Sequence, residues 1–508
     1  MAAVGDATGN AATGQTHAGA HVDRLPLASL ITSARRRQSV SQEQLARTMR
    51  QLAQAELVYC GAHRQTINRY ERGRIIPNPD TLRWLATALG MPTARLVAAA
   101  DRQRTMVRSR GPSQSSTEGP HAVPNADAGL DIRWTLAPTM TLLQDWLRAG
   151  KVDQRTFVEI PSRSITAVVR QYLTLEPSNG IDPTVGKATD SLVDHVNHGI
   201  RLIRMMDDAE GGASHLSYVE AYFQAVATLV KEGGHSESRN VCLIGALAQL
   251  AQQAGWMAYD ATRHGMAQRY YLSGLRLAHE AGDRPLAAHV LADIAYQSAS
   301  RGDLRDGLAI AEGAVRAGQQ ASAGVYASVL TRVAYAHAVG GRLRDFESSC
   351  FDAREALLRR RPKDDPDWMY YMTTSHIDSL AGVSLVQLGH RYTSAGDFKK
   401  GWTLLAEGER LLRRAGVQSR SLDHPHQRRA LFEDAWLALA CSAQDNLQGA
   451  CETARLAVRR LQSVSSVRSV VVLRVLAGDL RRRSRERHVK DFLPELDRAL
   501  RDQVVVDD

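Results

Sequence analysis

The sequence is short of the features that would place it in many common classes. Among 508 residues there are five cysteines, Cys60, Cys242, Cys350, Cys441 and Cys451, and no Cys-x-x-Cys pair. A disulfide framework and a zinc-knuckle site are thereby excluded, and the cysteines are expected to be buried thiols. No run reaches the roughly 18 uncharged apolar residues of a membrane span, since even the valine-rich stretch from Val470 to Leu476 contains Arg474. The first 23 residues hold no Lys or Arg and no apolar core. They lack the parts of a secretory signal, so a cytoplasmic location without a membrane partner is expected. Gly-x-Ser-x-Gly, His-Glu-x-x-His and Gly-x-Gly-x-x-Gly are all missing, which leaves nucleophilic, zinc-peptidase and dinucleotide chemistry unsupported. Gly180 to Ala188 has glycines one residue too far apart for a phosphate loop, and Ala188 stands where a hydroxyl would hold Mg²⁺. His195 and His198, beside Asp194, have no third ligand at a suitable spacing. No metal, no cofactor and no enzymatic activity are expected.

Lysine is also absent from the segment between Arg24 and Arg110, which carries sixteen Arg against five acidic residues and nets +11, whereas the whole chain nets +10. The basic character therefore belongs to one N-terminal unit. So concentrated a positive field suits a polyanion, of which nucleic acid is the commonest.

Composition and helix punctuation divide the chain. Residues 1–24, rich in Ala, Gly and Thr, cannot offset the entropy of folding and are expected to be a disordered tail. From 25 to 100, short amphipathic helices are bounded by Ser41 with Gln44 as a capping box, Gly73 as a C-terminal stop, and Asn78-Pro79 as a start. Residues 101–129 turn to Arg, Ser, Gly and Pro and read as a flexible linker. A helical region of unknown role is expected over 130–235 and a helical repeat array over 236–508. The fold class is all-α.

Within the basic unit, Ser41-Gln42-Glu43-Gln44-Leu45-Ala46 is followed by Arg64-Gln65-Thr66-Ile67-Asn68-Arg69-Tyr70-Glu71-Arg72-Gly73. If Ile67 and Tyr70 turn inward, Arg64, Gln65, Asn68, Arg69 and Arg72 face out, and these are the side-chain types that pair with guanine and adenine edges. The segment resembles the Cro/C1-type helix-turn-helix of transcriptional regulators, a five-helix domain whose third helix enters the DNA major groove. That resemblance implies that Gln42 contacts a phosphate or base edge, that Arg64, Gln65 and Arg69 read bases with Thr66 and Asn68 on the same helix, and that Arg72 and Arg74 hold phosphates. It also implies a structural ion pair from Glu71 to Arg35 or Arg36. The stretch Arg50 to His63 exceeds an ordinary turn, so either the second helix extends to about Gln54 or a loop bulges near Tyr59 and Gly61. Similarly extended versions occur in actinobacterial regulators.

Farther on, turns at His264-Gly265, Gly302-Asp303, Gly341-Arg342 and Gly396-Asp397 lie 37, 39 and 55 residues apart, the last interval stretched by the polar insertion Arg359 to Asp367. Small residues recur seven apart in the second helix of several hairpins: Ala267 and Gly274, Gly307 and Ala314, Gly401 and Gly408, Ala450 and Ala457. Such spacing lets partner helices approach and marks an α-solenoid. Gly255, Ala267, Tyr271 and Gly274, with Gly389, Gly401 and Gly408, resemble the tetratricopeptide repeat, from which Phe346 departs by replacing a small residue. Tyr259, Tyr296, Tyr335 and His390 each precede a turn glycine by six residues. In tetratricopeptide arrays that position faces the concave surface, so the four are candidates for a ligand groove, or else pack between helices.

The layout points to a sequence-specific regulator on double-stranded DNA, bound as a homodimer, whose array senses a peptide or partner protein or mediates dimerisation. The rival expectation is an interaction scaffold recruited to DNA or another acidic partner by its basic domain.

Overall fold

The computed structural model describes residues 26–55, 62–73, 75–77, 79–109, 130–152, 159–175, 191–417 and 421–503. All regular elements among them are helical, without a strand. The chain divides into two compact units, the first of residues 1–49 and 61–115, the second of residues 50–60 and 116–508.

The first unit is built on helices α1 (Pro26–Arg37), α2 (Gln42–Ala55), α3 (Arg64–Glu71), α4 (Pro79–Ala88) and α5 (Thr93–Ser109). Each is too short to persist alone, so an apolar stripe must be buried for it to form. Leu27, Ile31, Leu45, Met49, Ile67, Leu82 and Leu85 supply that core. The capping box forms as expected: the Gln44 amide donates to Ser41 Oγ at 3.1 Å, and the Ser41 amide donates to Gln44 Oε1 at 2.8 Å. A second cap is tertiary. Gln103 of α5, wholly buried, accepts from the amides of Leu27 (3.0 Å) and Ala28 (3.2 Å), satisfying two orphan donors at the start of α1. Two boundaries differ from the sequence reading. Helix α2 continues to Ala55, which selects helix extension over a bulge there, while Tyr59 and Gly61 lie outside the described residues. Helix α5 continues to Ser109, because Gln103 anchors the segment that composition alone made linker.

The second unit opens with α6 (Leu136–Val152), α7 (Ser162–Thr174), α8 (Ser191–Glu210) and α9 (Leu216–Glu232). Six helix pairs follow: α10 (Glu237–Asp260) with α11 (His264–Glu280), α12 (Arg284–Ser300) with α13 (Leu304–Gly318), and α14 (Ala323–Val339) with α15 (Leu343–Leu358). The remaining three are α16 (Thr374–Ser394) with α17 (Phe398–Ala415), α18 (Gln427–Ala443) with α19 (Leu447–Arg460), and α20 (Val467–Arg482) with α21 (Arg487–Asp502). The first helix of each pair packs on the first helix of the next, giving an inner row. The small residues spaced seven apart are buried as expected. A Cβ added to Gly401 would sit 2.9 Å from the Gly389 carbonyl oxygen, and one at Gly408 2.9 Å from that of Gly382, so α16 and α17 meet backbone to backbone.

Three expectations change here. The helical region expected over 130–235 joins the repeats: α6 packs on α11, α7 on α13, and α8 and α9 on α10, within one continuous core. The first hairpin turn is centred on Thr262, whose φ of 59° matches Gly302, Gly341 and Gly396 at 83°, 75° and 88°; Gly265 lies inside α11. Cys242 is exposed, whereas Cys350, Cys441 and Cys451 are buried and Cys60 lies outside the described residues.

The row of inner helices closes on itself. Helix α8 packs against both α10 and α18. The Ser465 amide donates to the Glu210 carbonyl at 2.7 Å, and Ser466 Oγ donates to Asp260 Oδ1 at 3.1 Å, joining the start of α20 to the ends of α8 and α10.

Candidate nucleic-acid interface and interior cavity

Helix α3 is held by its inward face. Ile67 is wholly buried and Tyr70 is 7% exposed, and Gly73, at φ 68°, ends the helix in a conformation that costs glycine little. Glu71 sits at the junction of three helices: Arg35 of α1 donates to its two oxygens at 2.5 and 3.1 Å, and Gln42 of α2 donates at 2.6 Å. Of the two arginines left open for this ion pair, Arg35 forms it, because its guanidinium also reaches the Val40 carbonyl at 2.8 Å. Gln42 thus has its amide nitrogen committed inside the protein, so it acts first as a brace between α2 and α3. On the outward face Arg64, Gln65, Arg69 and Arg72 are exposed, with Thr66 and Asn68 half-buried. Arg64, Gln65, Asn68, Arg69 and Arg72 make no side-chain hydrogen bond or ion pair with the rest of the chain among the described residues. Such unpaired donors on a short, braced helix can meet phosphate and base edges without breaking an existing contact. Arg74 lies outside the described residues.

The residues proposed for a ligand groove are mostly core. Tyr259, Tyr296 and Tyr335 are only 4%, 3% and 5% exposed. Rings of Tyr296 and Tyr335 lie 4.4 Å apart, and those of Tyr259 and Tyr296 5.7 Å apart. Their hydroxyls are engaged inside the fold: Tyr259 donates to Ser300 Oγ at 3.0 Å, Arg468 Nη1 donates to the Tyr296 oxygen at 3.2 Å, and Tyr335 is hydrogen-bonded to Gln387. With the first turn moved to Thr262, the residue six places before it is Trp256, not Tyr259. The ladder on the inner helices therefore runs Trp256, Tyr296, Tyr335, His390. Burial pushes His390 down to about 4, so its imidazole is neutral. Of the four residues first singled out, Tyr296 alone reaches the wall of a cavity.

That cavity, about 300 Å³, occupies the interior that the closed row encloses. Sequence reasoning missed it because its wall is drawn from α8, α10, α12, α14, α16, α18 and α20. The one available signal was the stretched 55-residue interval. That interval forms two 3₁₀ turns, Pro362–Asp364 and Asp367–Met369, and the residues just after the polar insertion, Trp368, Tyr370 and Tyr371, line the wall. Three guanidiniums surround the Trp256 ring, those of Arg332, Arg428 and Arg468, at 5.9, 5.5 and 5.1 Å from its centroid. Each has an acidic partner: Arg332 meets Asp293 at 2.5 Å, Arg468 meets Asp260 at 3.2 Å, and Arg428 meets Asp207 at 3.3 Å and Asp208 at 3.2 Å. Burial raises Asp207 to about 7 against the pull of Arg428. Burial acts on Asp208 too, yet hydrogen bonds from His426 and Tyr370 and the charge of Arg428 hold it below the ordinary carboxylate value. His195 and His198 are exposed, and no group of His, Cys, Asp and Glu among the described residues is arranged to hold a metal ion. No helix among them is long and apolar enough to cross a membrane.

Residues 26–99 match the family described as helix-turn-helix domain, the span of α1 to the middle of α5. No curated protein matches the chain. The first unit is thus a helix-turn-helix DNA-binding module.

Proposed function

We propose that the protein is a sequence-specific transcriptional regulator, whose helix-turn-helix module reads DNA through α3 and whose helical-repeat unit receives an effector. The observation that carries the reading is the outward row of Arg64, Gln65 and Arg69 on a helix braced by the Arg35–Glu71–Gln42 junction. Arg64, Gln65 and Arg69 read bases, Thr66 and Asn68 flank them, and Arg72 and Arg74 hold phosphates, while Gln42 orients α3. A single eight-residue helix covers few base pairs, so two copies bind a two-fold site with half-sites about 10 base pairs apart. The helix pairs act as a tetratricopeptide-like array that brings the copies together. A cavity of about 300 Å³ favours a small effector over a long peptide.

Selection of bound sequences from a random duplex pool, using the full chain, tests this. A two-fold motif with half-sites one helical turn apart is expected. Recovery of unenriched sequence would overturn base reading and leave a scaffold held to DNA by charge alone.

A further inference from the structure

The cavity wall carries more buried charge than packing requires, and one group in it is unmatched. Arg204 of α8 is only 6% exposed and lines the cavity, yet its one hydrogen-bond partner is an amide: Nη2 donates to Gln249 Oε1 at 2.9 Å. Among the described residues no carboxylate lies within ion-pair distance of it, the charges of Asp367 and Asp208 acting on it only from farther away. A buried guanidinium left in this way is costly, and burial accordingly lowers its pKa to about 10. The other arginines of the wall are neutralised: Arg332 by Asp293, Arg468 by Asp260, Arg429 by Glu433 and Arg428 by Asp207 and Asp208 together. Asp207 and Asp208 are both committed to Arg428, so among the described residues Arg204 alone of the wall arginines has no carboxylate at ion-pair distance. Beside it stands a second unmet polar group. His289 is 3% exposed, its Nδ1 has no hydrogen-bond partner, and burial, with the charges of Arg332 and Arg204 behind it, keeps its imidazole neutral against the pull of Asp293. The His289 ring lies 4.9 Å from that of Trp368, just after the insertion.

We propose that the cavity binds a small organic anion, its oxyanion held by Arg204 with His289 Nδ1–H as a second donor, and its apolar ring seated against Trp368 and Trp256. An arginine fork matches a carboxylate or similar oxyanion in geometry and charge. Aromatic cages also bind cations, but the wall group without an ion-pair partner here is itself a cation, Arg204. The volume is at the lower end of the range for sites that enclose drug-sized ligands.

This inference rests on reading the repeat unit as the effector-binding part, and binding is therefore measured on the full chain without DNA, apart from the sequence-selection experiment. Thermal denaturation and titration calorimetry are run with benzoate, phenylacetate and indole-3-acetate, each beside its primary amide, up to about 10 mM. At least one carboxylate is expected to raise the melting temperature by about 2 °C or more and to bind at least about tenfold more tightly than its amide. In Arg204→Gln that preference should fall to about twofold, while Arg204→Lys should retain part of it. If every carboxylate stabilises the wild-type chain no more than its amide, or if the preference survives in Arg204→Gln, the proposal is overturned. Should Arg204→Gln fail to fold, Arg204→Lys decides: a preference reduced but not abolished supports the proposal, and one equal to that of the wild type overturns it.

Discussion

The two units use arginine in opposite ways. In the first, Arg64, Arg69 and Arg72 stand in solvent on one face of α3, with no partner among the described residues. In the second, Arg332, Arg428 and Arg468 crowd around Trp256 in the interior, each held by a carboxylate. An exposed, unpaired guanidinium costs the fold nothing and is available to an outside polyanion. A buried one must be neutralised where it lies, so it ties together helices distant in sequence. The same residue type thus marks recognition in one place and internal cohesion in the other. Position relative to solvent, rather than composition, tells them apart.

The contrast can be broken most severely at the aromatic ladder. Tyr335→Ala removes a ring that is 5% exposed and packed on Tyr296, and should cost about 3–5 kcal/mol. Scanning calorimetry of the full chain should show the second unit melting earlier and the first unchanged. An unaltered melting temperature would return Tyr335 to an open ligand surface and undo the burial argument. Next comes Glu71→Ala, which strips Arg35 and Gln42 of their shared acceptor and should cost about 2–4 kcal/mol within the first unit. Here the affected transition should be the first unit's, with DNA binding lost in parallel; a stable variant with intact binding would mean that the junction does not brace α3.

A smaller effect is expected on the exposed face. Arg69→Ala should leave both melting transitions in place, weaken binding at the preferred site by about 1–3 kcal/mol and relax one base position. Arg72→Ala should instead weaken all sequences alike and reduce the salt slope of binding by about one. Gel-shift titrations on matched and scrambled duplexes separate the two, and uniform losses in Arg69→Ala would remove it from base reading. A further effect is a change in pH profile. Because the folded-state pKa of Asp207 is raised from the ordinary 3.8 to about 7, its contribution to stability is fully present below about pH 4 and is lost as pH rises towards 7. Asp207→Asn should therefore flatten that part of the profile, the variant gaining on the wild type between pH 5 and 8. A constant difference in melting temperature across that range would show that Asp207 does not titrate there.

The first unit was readable because its signals are local. Ser41 and Gln44 are three residues apart, Ile67 and Tyr70 likewise, and +11 of charge falls in one segment. Where reading failed there, at the end of α5, the cause was Gln103 bonding across 75 residues to α1. In the second unit, periodicity revealed the hairpins but not their register. Thr262 adopts a left-handed backbone usually left to glycine, so the nearby Gly265 mimics the turn in sequence and shifts the register from Trp256 to Tyr259. Beyond the stretched 55-residue interval, the sequence carries no signal of the cavity. Arg204, His289 and Trp368 sit on three separate elements, and nothing in their local spacing brings them together.

The closing contacts also set an order of events. Ser466 and Arg468 reach Asp260 across more than 200 residues of chain. As the protein emerges from the ribosome, each hairpin can dock on the one before it, since those contacts are between neighbours. The enclosed interior cannot exist until the beginning of α20 has been made, when the N-terminal module has long since been free to fold. A nascent or prematurely ended chain lacking Ser465 and Arg468 would thus own a DNA-binding module without the bolt that completes the chamber. Pulse-labelled chains halted before and after α20 should differ sharply in protease resistance of the central hairpins.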